Sequence, residues 1–291
     1  MNRLEGVIVK GIGGFYTVAV GERSYVCRAR GRFRRDRITP AIGDRVRILP
    51  PQGEEDGFIE EILPRANLLV RPPVANITRL VVALSAQHPQ PDYLLADRLI
   101  VAARRAEIAV TICFNKLDLV AEPPGEVEEY RGCFPVLCVS SRTGQGIEEL
   151  KRHLAGEIAC FAGQSGVGKS SLLNAVDGGC RETGDLTRIE RGRNTTRHAE
   201  LIPLPGGGMV VDTAGFSLYE MALQPPEELM ERYPEFAPYL GECRFQGCLH
   251  DREPGCRVKE AVQSGAVPRG RYERYVALLE EQREKWRNRY D

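Results

Sequence analysis

The stretch from Gly163 to Ser170, Gly-Gln-Ser-Gly-Val-Gly-Lys-Ser, fits the pattern G-x-x-x-x-G-K-[ST] and is the most informative motif of this 291-residue chain. It lies between a buried-strand pattern, Ile158–Ala162, and a helical pattern, Ser170–Val176. Glycines there let backbone N–H groups surround a polyanion, and the helix N-terminus adds a favourable partial charge. The pattern predicts a phosphate-binding loop in which Lys169 reaches the β- and γ-phosphates and Ser170 coordinates Mg²⁺.

A second motif indicates which base the site takes. Asn115-Lys116-Leu117-Asp118 follows a predicted strand, Ile108–Phe114, and fits N-K-x-D. A fixed carboxylate such as Asp118 accepts hydrogen bonds from guanine N1–H and the exocyclic amine, a pair of donors that adenine lacks. Asn115 can bond the base edge, and the Lys116 stem can cover the ring face. The motif is short, but beside a phosphate-binding loop it favours GTP and argues against a P-loop ATPase or kinase.

The loop after the following strand gives a weaker indication of the same base. Ser140-Ser141-Arg142 follows the predicted strand Pro135–Val139 and fits a loop whose backbone N–H contacts guanine O6. An ordinary turn between a strand and a helix has the same composition, so both interpretations of Ser140 and Ser141 stay open.

Two further segments predict contacts to Mg²⁺ and to the γ-phosphate. The tetrapeptide from Asp212 to Gly215 fits D-x-x-G at the end of another predicted strand. Asp212 is expected to hold Mg²⁺ through water, and the Gly215 N–H to sense the γ-phosphate. The polar stretch 191–198 contains Thr195 and Thr196, either of which could complete the Mg²⁺ shell. We favour Thr196, and a plain surface loop is the alternative for this stretch.

Hydrolysis is expected to be slow without a partner. Phe216 stands where Ras-like enzymes carry a glutamine that orients water, and a phenyl ring cannot do so. His198 could replace the glutamine as the positioning group, although an exposed loop histidine is the simpler interpretation.

The order of these motifs predicts a circular permutation. N-K-x-D at 115 precedes the phosphate-binding loop at 163, which precedes D-x-x-G at 212, whereas an ordinary Ras-like chain begins with the phosphate-binding loop. The same sheet forms if the usual chain ends are joined and a break is opened elsewhere, because domain termini often lie close together. Both switch segments then lead directly into the C-terminal part of the chain, which γ-phosphate contacts could reposition.

The N-terminal 71 residues predict a small β-barrel. Five short segments carry β-branched or aromatic residues at alternating positions between Gly- and Pro-rich turns, which favours an OB-type barrel over an SH3-like one. From Arg28 to Arg37 the sequence holds six Arg and one Asp. Several arginines on one loop suit an RNA backbone, and a solvated charged loop is the alternative.

Cysteine spacing predicts a metal site in the C-terminal segment. Cys243-x4-Cys248-x-His250-x5-Cys256 places three Cys and one His within fourteen residues, which suits one tetrahedral, structural Zn²⁺. The other six cysteines are dispersed, and we expect them to be small core or surface residues.

Composition excludes two classes of protein. Forty Lys and Arg balance forty Asp and Glu, so the chain is neither a uniformly basic nucleic-acid coat protein nor an acidic disordered tail. Residues 1–71 nevertheless hold thirteen basic and nine acidic side chains, so RNA remains a candidate partner of that region. No run approaches the roughly 18 uninterrupted apolar residues of a membrane helix, and the N-terminus does not resemble a signal peptide. We expect a cytoplasmic monomer with no membrane contact.

Together these motifs resemble the RsgA (YjeQ) family, the circularly permuted GTPases of small-ribosomal-subunit maturation. The resemblance covers essentially the whole chain, and beside the phosphate-binding loop and the Cys/His set it rests on N-K-L-D at 115–118, G-R-N-T-T at 192–196 and D-T-A-G at 212–215. It implies GTP hydrolysis stimulated by the small subunit, rRNA contacts from the flanking domains and a checkpoint late in assembly. Asn194 departs from it, since the family is expected to favour His there, which makes His198 a more interesting candidate.

We therefore expect an α/β fold, with a circularly permuted Ras-like P-loop GTPase domain at 72–218, an OB-type RNA-binding barrel at 1–71 and a helical zinc-binding domain at 219–291. The residues expected to bind nucleotide are Asn115, Lys116, Asp118, Ser140, Ser141, Gly163, Gln164, Ser165, Gly166, Val167, Gly168, Lys169, Ser170 and Ser171. Those expected to act in catalysis are Lys169, Thr196, Asp212 and Gly215, with Mg²⁺ on Ser170, Thr196 and Asp212 and zinc on Cys243, Cys248, His250 and Cys256. A GTP-gated RNA-binding module, in which hydrolysis is incidental, is the alternative function.

Overall fold

The structure is a computed structural model that describes residues 3–31, 33, 38–51, 55–70, 73–178, 199–212 and 224–289. Its strands, in chain order, are β1 (Leu4–Ile12), β2 (Phe15–Val20), β3 (Arg23–Ala29), β4 (Arg45–Leu49), β5 (Gly57–Ile62), β6 (Leu68–Val70), β7 (Pro73–Ala75), β8 (Arg79–Ser85), β9 (Ala109–Asn115), β10 (Val136–Cys138), β11 (Ile158–Ala162), β12 (Glu200–Pro203) and β13 (Met209–Asp212). Its α-helices are α1 (Tyr93–Arg105), α2 (Val127–Arg131), α3 (Ile147–Leu154), α4 (Lys169–Val176), α5 (Arg257–Gln263) and α6 (Arg269–Arg287), and its 3₁₀ helices are η1 (Leu117–Leu119), η2 (Pro226–Arg232) and η3 (Pro234–Tyr239). None of the helices within those ranges is both long and apolar enough to cross a membrane.

The chain divides into two compact units, each built from three stretches. The first unit comprises Met1–Leu80, Ile147–Phe161 and Ser170–Ser217, and the second comprises Val81–Gly146, Ala162–Lys169 and Leu218–Asp291. Each unit therefore draws on more than one of the three predicted domains. The domain boundaries after residues 71 and 218 stay a prediction.

The N-terminal strands of the first unit close into a barrel. Their order is β1-β2-β3-β5-β4, and β1 pairs with β4 as well as with β2. β3 and β5 run parallel, whereas the other neighbours in the barrel are antiparallel. Alternate residues point inward, and Ile8, Val18, Val46, Ile48 and Ile59 are fully buried. The prediction of an OB-type barrel is confirmed.

The barrel sheet continues into the strands next to the predicted switch segments. β1 pairs antiparallel with β12, where Lys10 lies opposite Glu200 and its Nζ is 3.1 Å from the Glu200 carboxylate. β12 pairs antiparallel with β13, and β13 runs parallel to β11. Asp212, the last residue of β13, therefore lies on a strand that is separated from β1 by β12 alone.

The second unit contains a sheet in the order β10-β9-β8. β9 and β10 run parallel, with Ile112 opposite Val136. Buried residues fill β8 and β9 almost without interruption, as in parallel sheets that are covered on both faces. Helix α1 packs against β9, and its N-terminus is capped by Asp92, whose side chain accepts a hydrogen bond from the Leu95 N–H.

The C-terminal helices of this unit pack on α1. Helix α1 contacts both α6 and η2. Their apolar side chains share one buried cluster with the loop that carries the predicted metal ligands. The rings of Tyr233, Phe236 and Tyr275 lie at its centre, with centroids between 4.9 and 5.2 Å apart. Edge-to-face and stacked contacts at such distances stabilise a core beyond simple burial of area.

A buried cluster of charges joins α1 to α6. Asp97 on α1 is fully buried, and its two carboxylate oxygens lie 2.5 Å from Arg271 Nη1 and 2.8 Å from Arg274 Nε. Arg271 also pairs with Glu235 at 2.6 Å, and Arg274 with Glu129 at 2.7 Å. Burial alone would lower the pKa of Arg271, but the carboxylates of Asp97 and Glu235 raise it well above its ordinary value. The guanidinium group therefore stays charged in the interior.

Replacing Arg271 by Met should strongly destabilise the second unit, because Glu235 then loses its ion pair in the interior. Removing one partner of a buried pair costs about 3–5 kcal/mol. Arg131→Met is the control, because Arg131 pairs with Glu128 on the exposed surface of α2, where a pair contributes about 1 kcal/mol at most. The fluorescence of Trp286, the sole tryptophan, reports unfolding of α6 in urea. The midpoint should fall for the first variant only, and equal midpoints would show that the cluster adds no stability.

Candidate nucleotide and metal sites

The predicted phosphate-binding loop, residues 163–170, has glycine at positions where a side chain has no room. Gly163 has φ +147°, and a Cβ on it would lie 2.2 Å from the Ala83 carbonyl oxygen. Gly168 has φ +95°, and a Cβ on it would lie 2.5 Å from Asn115 Nδ2. Both conformations are open to glycine and strained for other residues. The loop therefore starts against β8 and ends against the N-K-x-D motif.

Lys169 bends back over this loop. Its Nζ lies 2.8 Å from the Gly163 carbonyl oxygen and 2.9 Å from that of Gln164. Burial of this half-buried side chain lowers the pKa of Lys169. A bound anion would favour the charged ammonium again, because an opposite charge nearby offsets the loss of solvation. The side chain can thus neutralise a phosphate group held by the N–H groups of the loop.

Asn115 connects the phosphate-binding loop to a loop expected to contact the base. It is fully buried at the end of β9. Its Nδ2 donates to the Val167 carbonyl oxygen at 3.0 Å, and its Oδ1 accepts from the Ser141 N–H at 3.0 Å. One amide therefore sets the spacing between the two loops, in addition to any contact with the base.

Lys116 also connects the N-K-x-D motif to the loop at 163–170, through its side chain. Its backbone is left-handed, with φ +67°. Its Nζ donates to the carbonyl oxygens of His88 and Gly166, each at 2.7 Å, so the stem stretches from the N-K-x-D motif to the phosphate-binding loop. Sequence reasoning missed His88, because its backbone carbonyl takes part and no motif marks it.

The Asp118 carboxylate is oriented by the loop after β10. Ser140 Oγ donates to Asp118 Oδ1 at 2.6 Å and accepts from the Thr143 N–H at 3.1 Å. Arg142 Nη1 lies 3.7 Å from Asp118 Oδ2. A carboxylate held in this way is prepared to accept two parallel donors from a ligand. Thr143 was not among the predicted residues, since it contributes through its backbone N–H.

The residues expected around Mg²⁺ are described only in part. Ser170 lies exposed in the first turn of α4, and Asp212 is half-buried at the end of β13. Ser165 and Ser171 are exposed, and Gln164 is half-buried. Thr196 and Gly215, together with Asn194, Thr195, His198 and Phe216, lie outside the described residues. The Mg²⁺ set and the catalytic assignments stay predictions.

The four predicted metal ligands converge on one point. The ligand atoms of Cys243, Cys248, His250 and Cys256 all lie within 4.8 Å of one another. His250 Nδ1 is 3.5, 3.6 and 3.4 Å from the sulfur atoms of Cys243, Cys248 and Cys256, and the Cys243 and Cys256 sulfur atoms are 3.9 Å apart. Burial raises the pKa of Cys248 to about 12 and lowers that of His250. Thiolates grouped here need a cation, and this set can hold a metal ion.

Helix α6 fixes the loop that carries these ligands. Tyr272 Oη donates to the His250 carbonyl oxygen at 2.9 Å, and Tyr275 Oη donates to that of Leu249 at 2.7 Å. The His250 ring also packs edge-on against Phe236, with centroids 6.1 Å apart. The predicted metal ligands and the charge cluster of Asp97 are therefore held by the same helix.

Comparisons with known proteins agree with this organisation. The family model for RsgA GTPase matches residues 62–222, and that for the RsgA N-terminal domain matches residues 5–59. A relative from Caldanaerobacter subterraneus subsp. tengcongensis, named small ribosomal subunit biogenesis GTPase RsgA, is 44% identical over 100% of this chain and 99% of its own length. A relative of the same name from Ruminiclostridium cellulolyticum is 45% identical over 94% of this chain and 92% of its own.

Solved structures confirm the predicted permuted fold. YjeQ from Thermotoga maritima superposes with a TM-score of 0.83 and 36% identity, covering 97% of this chain and 99% of that chain. YloQ, described as a circularly permuted GTPase, superposes with a TM-score of 0.82 and 34% identity, covering 98% of this chain and 96% of that chain. Because the family model matches more than half of the residues and the relatives align along nearly the full length, the chain belongs to the RsgA GTPase family.

Proposed function

We propose that this protein hydrolyses GTP to time a late step in maturation of the small ribosomal subunit, and that the subunit stimulates the hydrolysis. The observation that carries the proposal is the pair of hydrogen bonds of Asn115, which join the predicted phosphate-binding loop to the loop that is expected to contact guanine. The relatives named small ribosomal subunit biogenesis GTPase RsgA supply the partner.

Guanine selection would follow from the orientation of Asp118. The Ser140 hydroxyl group occupies one lone pair of the Asp118 carboxylate and leaves the rest for guanine N1–H and the exocyclic amine. A site built to pair with two donors rejects a base that lacks them, because its buried acceptor would then be unpaired. The Lys116 stem would cover the face of the guanine ring, and Ser141 would help to align the ring.

Hydrolysis moves the γ-phosphoryl group from GTP to water, so the site must stabilise charge on that group. Lys169 and the N–H groups of residues 163–171 would hold the phosphates. Mg²⁺ on Ser170, Thr196 and Asp212 would neutralise the β- and γ-phosphate oxygens, and the Gly215 N–H would contact the γ-phosphate. Phe216 offers no group to orient water, so the stimulating partner would supply or position one.

Zinc is the metal that best suits the C-terminal ligand set. Tetrahedral Zn²⁺ has Zn–S distances of about 2.3 Å and Zn–N distances of about 2.0–2.1 Å, which place sulfur atoms about 3.8 Å apart and nitrogen about 3.6 Å from sulfur. The observed separations of 3.4–3.9 Å match that geometry. Three Cys and one His leave no ligand position open, so the ion would be structural.

The remaining assignments extend the same proposal. The OB-type barrel and the C-terminal helices would contact rRNA, since several arginines of residues 28–37 suit a phosphate backbone. The three-domain division at 1–71, 72–218 and 219–291, a cytoplasmic location, a monomeric state and the absence of membrane contact belong to the proposal as well.

The decisive test is multiple-turnover GTP hydrolysis measured with and without purified small ribosomal subunits. We expect slow turnover alone and at least a tenfold increase with subunits, because the partner completes the water-positioning site. Lys169→Ala should remain inactive in both conditions and controls for contaminating GTPases. Subunit binding that depends on GTP without any increase in turnover would instead support the RNA-binding alternative.

Asp118→Asn should weaken GDP binding by at least about 100-fold, because the amide N–H group faces the guanine donors in place of an acceptor. Xanthosine diphosphate, which carries a carbonyl in place of the exocyclic amine, should bind the variant better than GDP does. Glu122→Gln removes an exposed carboxylate four residues away and should change neither affinity. Titration with fluorescent nucleotides measures these constants, and unchanged GDP preference in the Asp118 variant would refute the guanine assignment.

Metal analysis after extensive dialysis should find about one zinc per chain. Cys248→Ser should lose the ion and lower the melting temperature, because ligand removal leaves buried thiols without a cation. Cys138→Ser alters a half-buried cysteine outside the cluster and should retain the zinc. A full zinc content in the Cys248 variant would show that the ion binds elsewhere.

A further inference from the structure

One outer face of the barrel carries apolar side chains where a solvated sheet face is normally polar. Val18, Cys27 and Ile59 are fully buried in the barrel core, so residues an odd number of positions from them in the same strand point outward. Among those outward residues, Phe15 is 42% exposed and Phe58 is 39% exposed. Exposed aromatic rings grouped on one face indicate a contact surface, whereas scattered apolar residues do not.

Strand register brings these side chains into one row. Ile12 lies opposite Phe15, Phe15 opposite Arg28, and Arg28 opposite Phe58, across four neighbouring strands. Val26 lies two residues before Arg28 and therefore on the same face of β3. Ile12 is 49% exposed and Val26 is 46% exposed. We call these five residues the stacking face.

Arginine side chains lie over both rings. The guanidinium carbon of Arg28 is 4.6 Å from the centroid of Phe15, and that of Arg30 is 5.9 Å from the centroid of Phe58. Asp56 holds Arg28 at 2.8 Å, and Glu60 holds Arg30 at 3.0 Å, so each guanidinium is positioned from the side. An exposed ring beside a fixed guanidinium offers a flat apolar surface and a cation within a few ångströms of each other.

We propose that the stacking face binds single-stranded RNA, with Phe15 and Phe58 each stacking on one base and Arg28 and Arg30 contacting the adjoining bases and phosphates. This inference rests on the proposed function, in which the barrel contacts rRNA, and names the surface and the form of RNA it takes. Rings on a solvent-exposed outer face of the barrel can stack only on bases that are not already paired and stacked in a duplex. Two strand spacings, about 10 Å, separate the two rings, which leaves room for separate bases.

Size and charge favour RNA over a protein partner. The stacking face has four apolar side chains, whereas a stable protein interface buries about 800 Å² on each partner. Arg28 of the face is also the first residue of the sequence segment 28–37, which holds six Arg and one Asp and so suits a polyanion. A nucleic-acid strand uses both features, since its bases are flat and its backbone is charged at every step.

The test measures binding of the full-length protein to a fluorescein-labelled 12-nucleotide oligoadenylate by anisotropy, beside an RNA duplex of equal length. The double variant Phe15→Ala/Phe58→Ala should lose at least tenfold in affinity for the single strand, because stacking on each ring is lost. The variant Phe15→Tyr/Phe58→Tyr keeps both rings and should bind like the wild type. Leu68→Ala, an equally exposed apolar residue outside the stacking face, is the matched control and should have no effect.

Salt dependence separates stacking from charge. The double alanine variant should lose affinity by the same factor at every salt concentration, since no phosphate contact is removed. Arg28→Gln should instead lower the slope of log affinity against log salt by about one. Photocrosslinking of a 4-thiouridine-labelled strand to the wild type provides a measurement that needs no variant, and crosslinks at Phe15 or Phe58 are expected.

Two results would overturn the inference. Oligoadenylate affinity could be independent of both rings, or crosslinks could fall wholly outside the barrel face. If the alanine variant keeps its affinity for the oligonucleotide but loses affinity for the small subunit, the face contacts folded rRNA or a ribosomal protein instead of a single strand. If wild-type hydrolysis is still stimulated by small subunits in such a case, the proposed function stands and this inference alone fails. Absence of stimulation in the wild type would refute the proposed function and leave the ring-dependence measurement unaffected.

Discussion

The carboxylate of Asp97 is the constraint on which the second unit depends, because two arginines of α6 reach it in the interior. A buried charge is costly unless partners of opposite sign surround it, and Arg271 and Arg274 find such partners only when α1 and α6 lie in this register. Glu235 and Glu129 complete the cluster from two other elements. The network therefore selects one arrangement of four elements, where apolar packing alone would tolerate several.

The charge cluster also affects how nucleotide binding could be transmitted to the C-terminal helices. The loops at 115–118 and 140–142 follow strands of the second unit, and the metal-ligand loop is tied to α6 in the same unit. The sequence suggested that γ-phosphate contacts would move the C-terminal part of the chain, and this stays a prediction. The charge cluster limits which movements are possible, because the C-terminal helices can move relative to α1 only by breaking buried ion pairs. A motion that carries them together with the loops at 115–118 and 140–142 leaves those pairs intact.

Sequence reasoning reached the permuted fold and the barrel because both depend on local patterns. The loop from Gly163 to Ser170 and the Cys/His set are each defined by a few residues close together in the sequence. Both could therefore be predicted without knowledge of tertiary contacts. The pairing of Asp97 with Arg271 could not, since 174 positions separate them and a charged residue in a helix normally faces water. His88 and Thr143 were missed for another reason, because backbone groups act there and the side chain leaves no mark in the sequence. Asn115 was expected to bond the base edge, but its hydrogen bond to the Val167 carbonyl oxygen could not be predicted without the fold.

The pairing of β1 with β12 also affects how the chain is made. A ribosome releases the barrel strands first, whereas Glu200 follows Lys10 by 190 residues. Until β12 emerges, the end of β1 that it will cover has unsatisfied backbone groups, and an uncovered strand edge invites pairing with other chains. Lys10 lies at that edge, and a lysine there discourages such association. The Lys10 ammonium group thus disfavours association of the nascent barrel until it pairs with the Glu200 carboxylate. Pairing of β1 with β12 joins distant parts of the sequence, and contacts of this kind form slowly during folding.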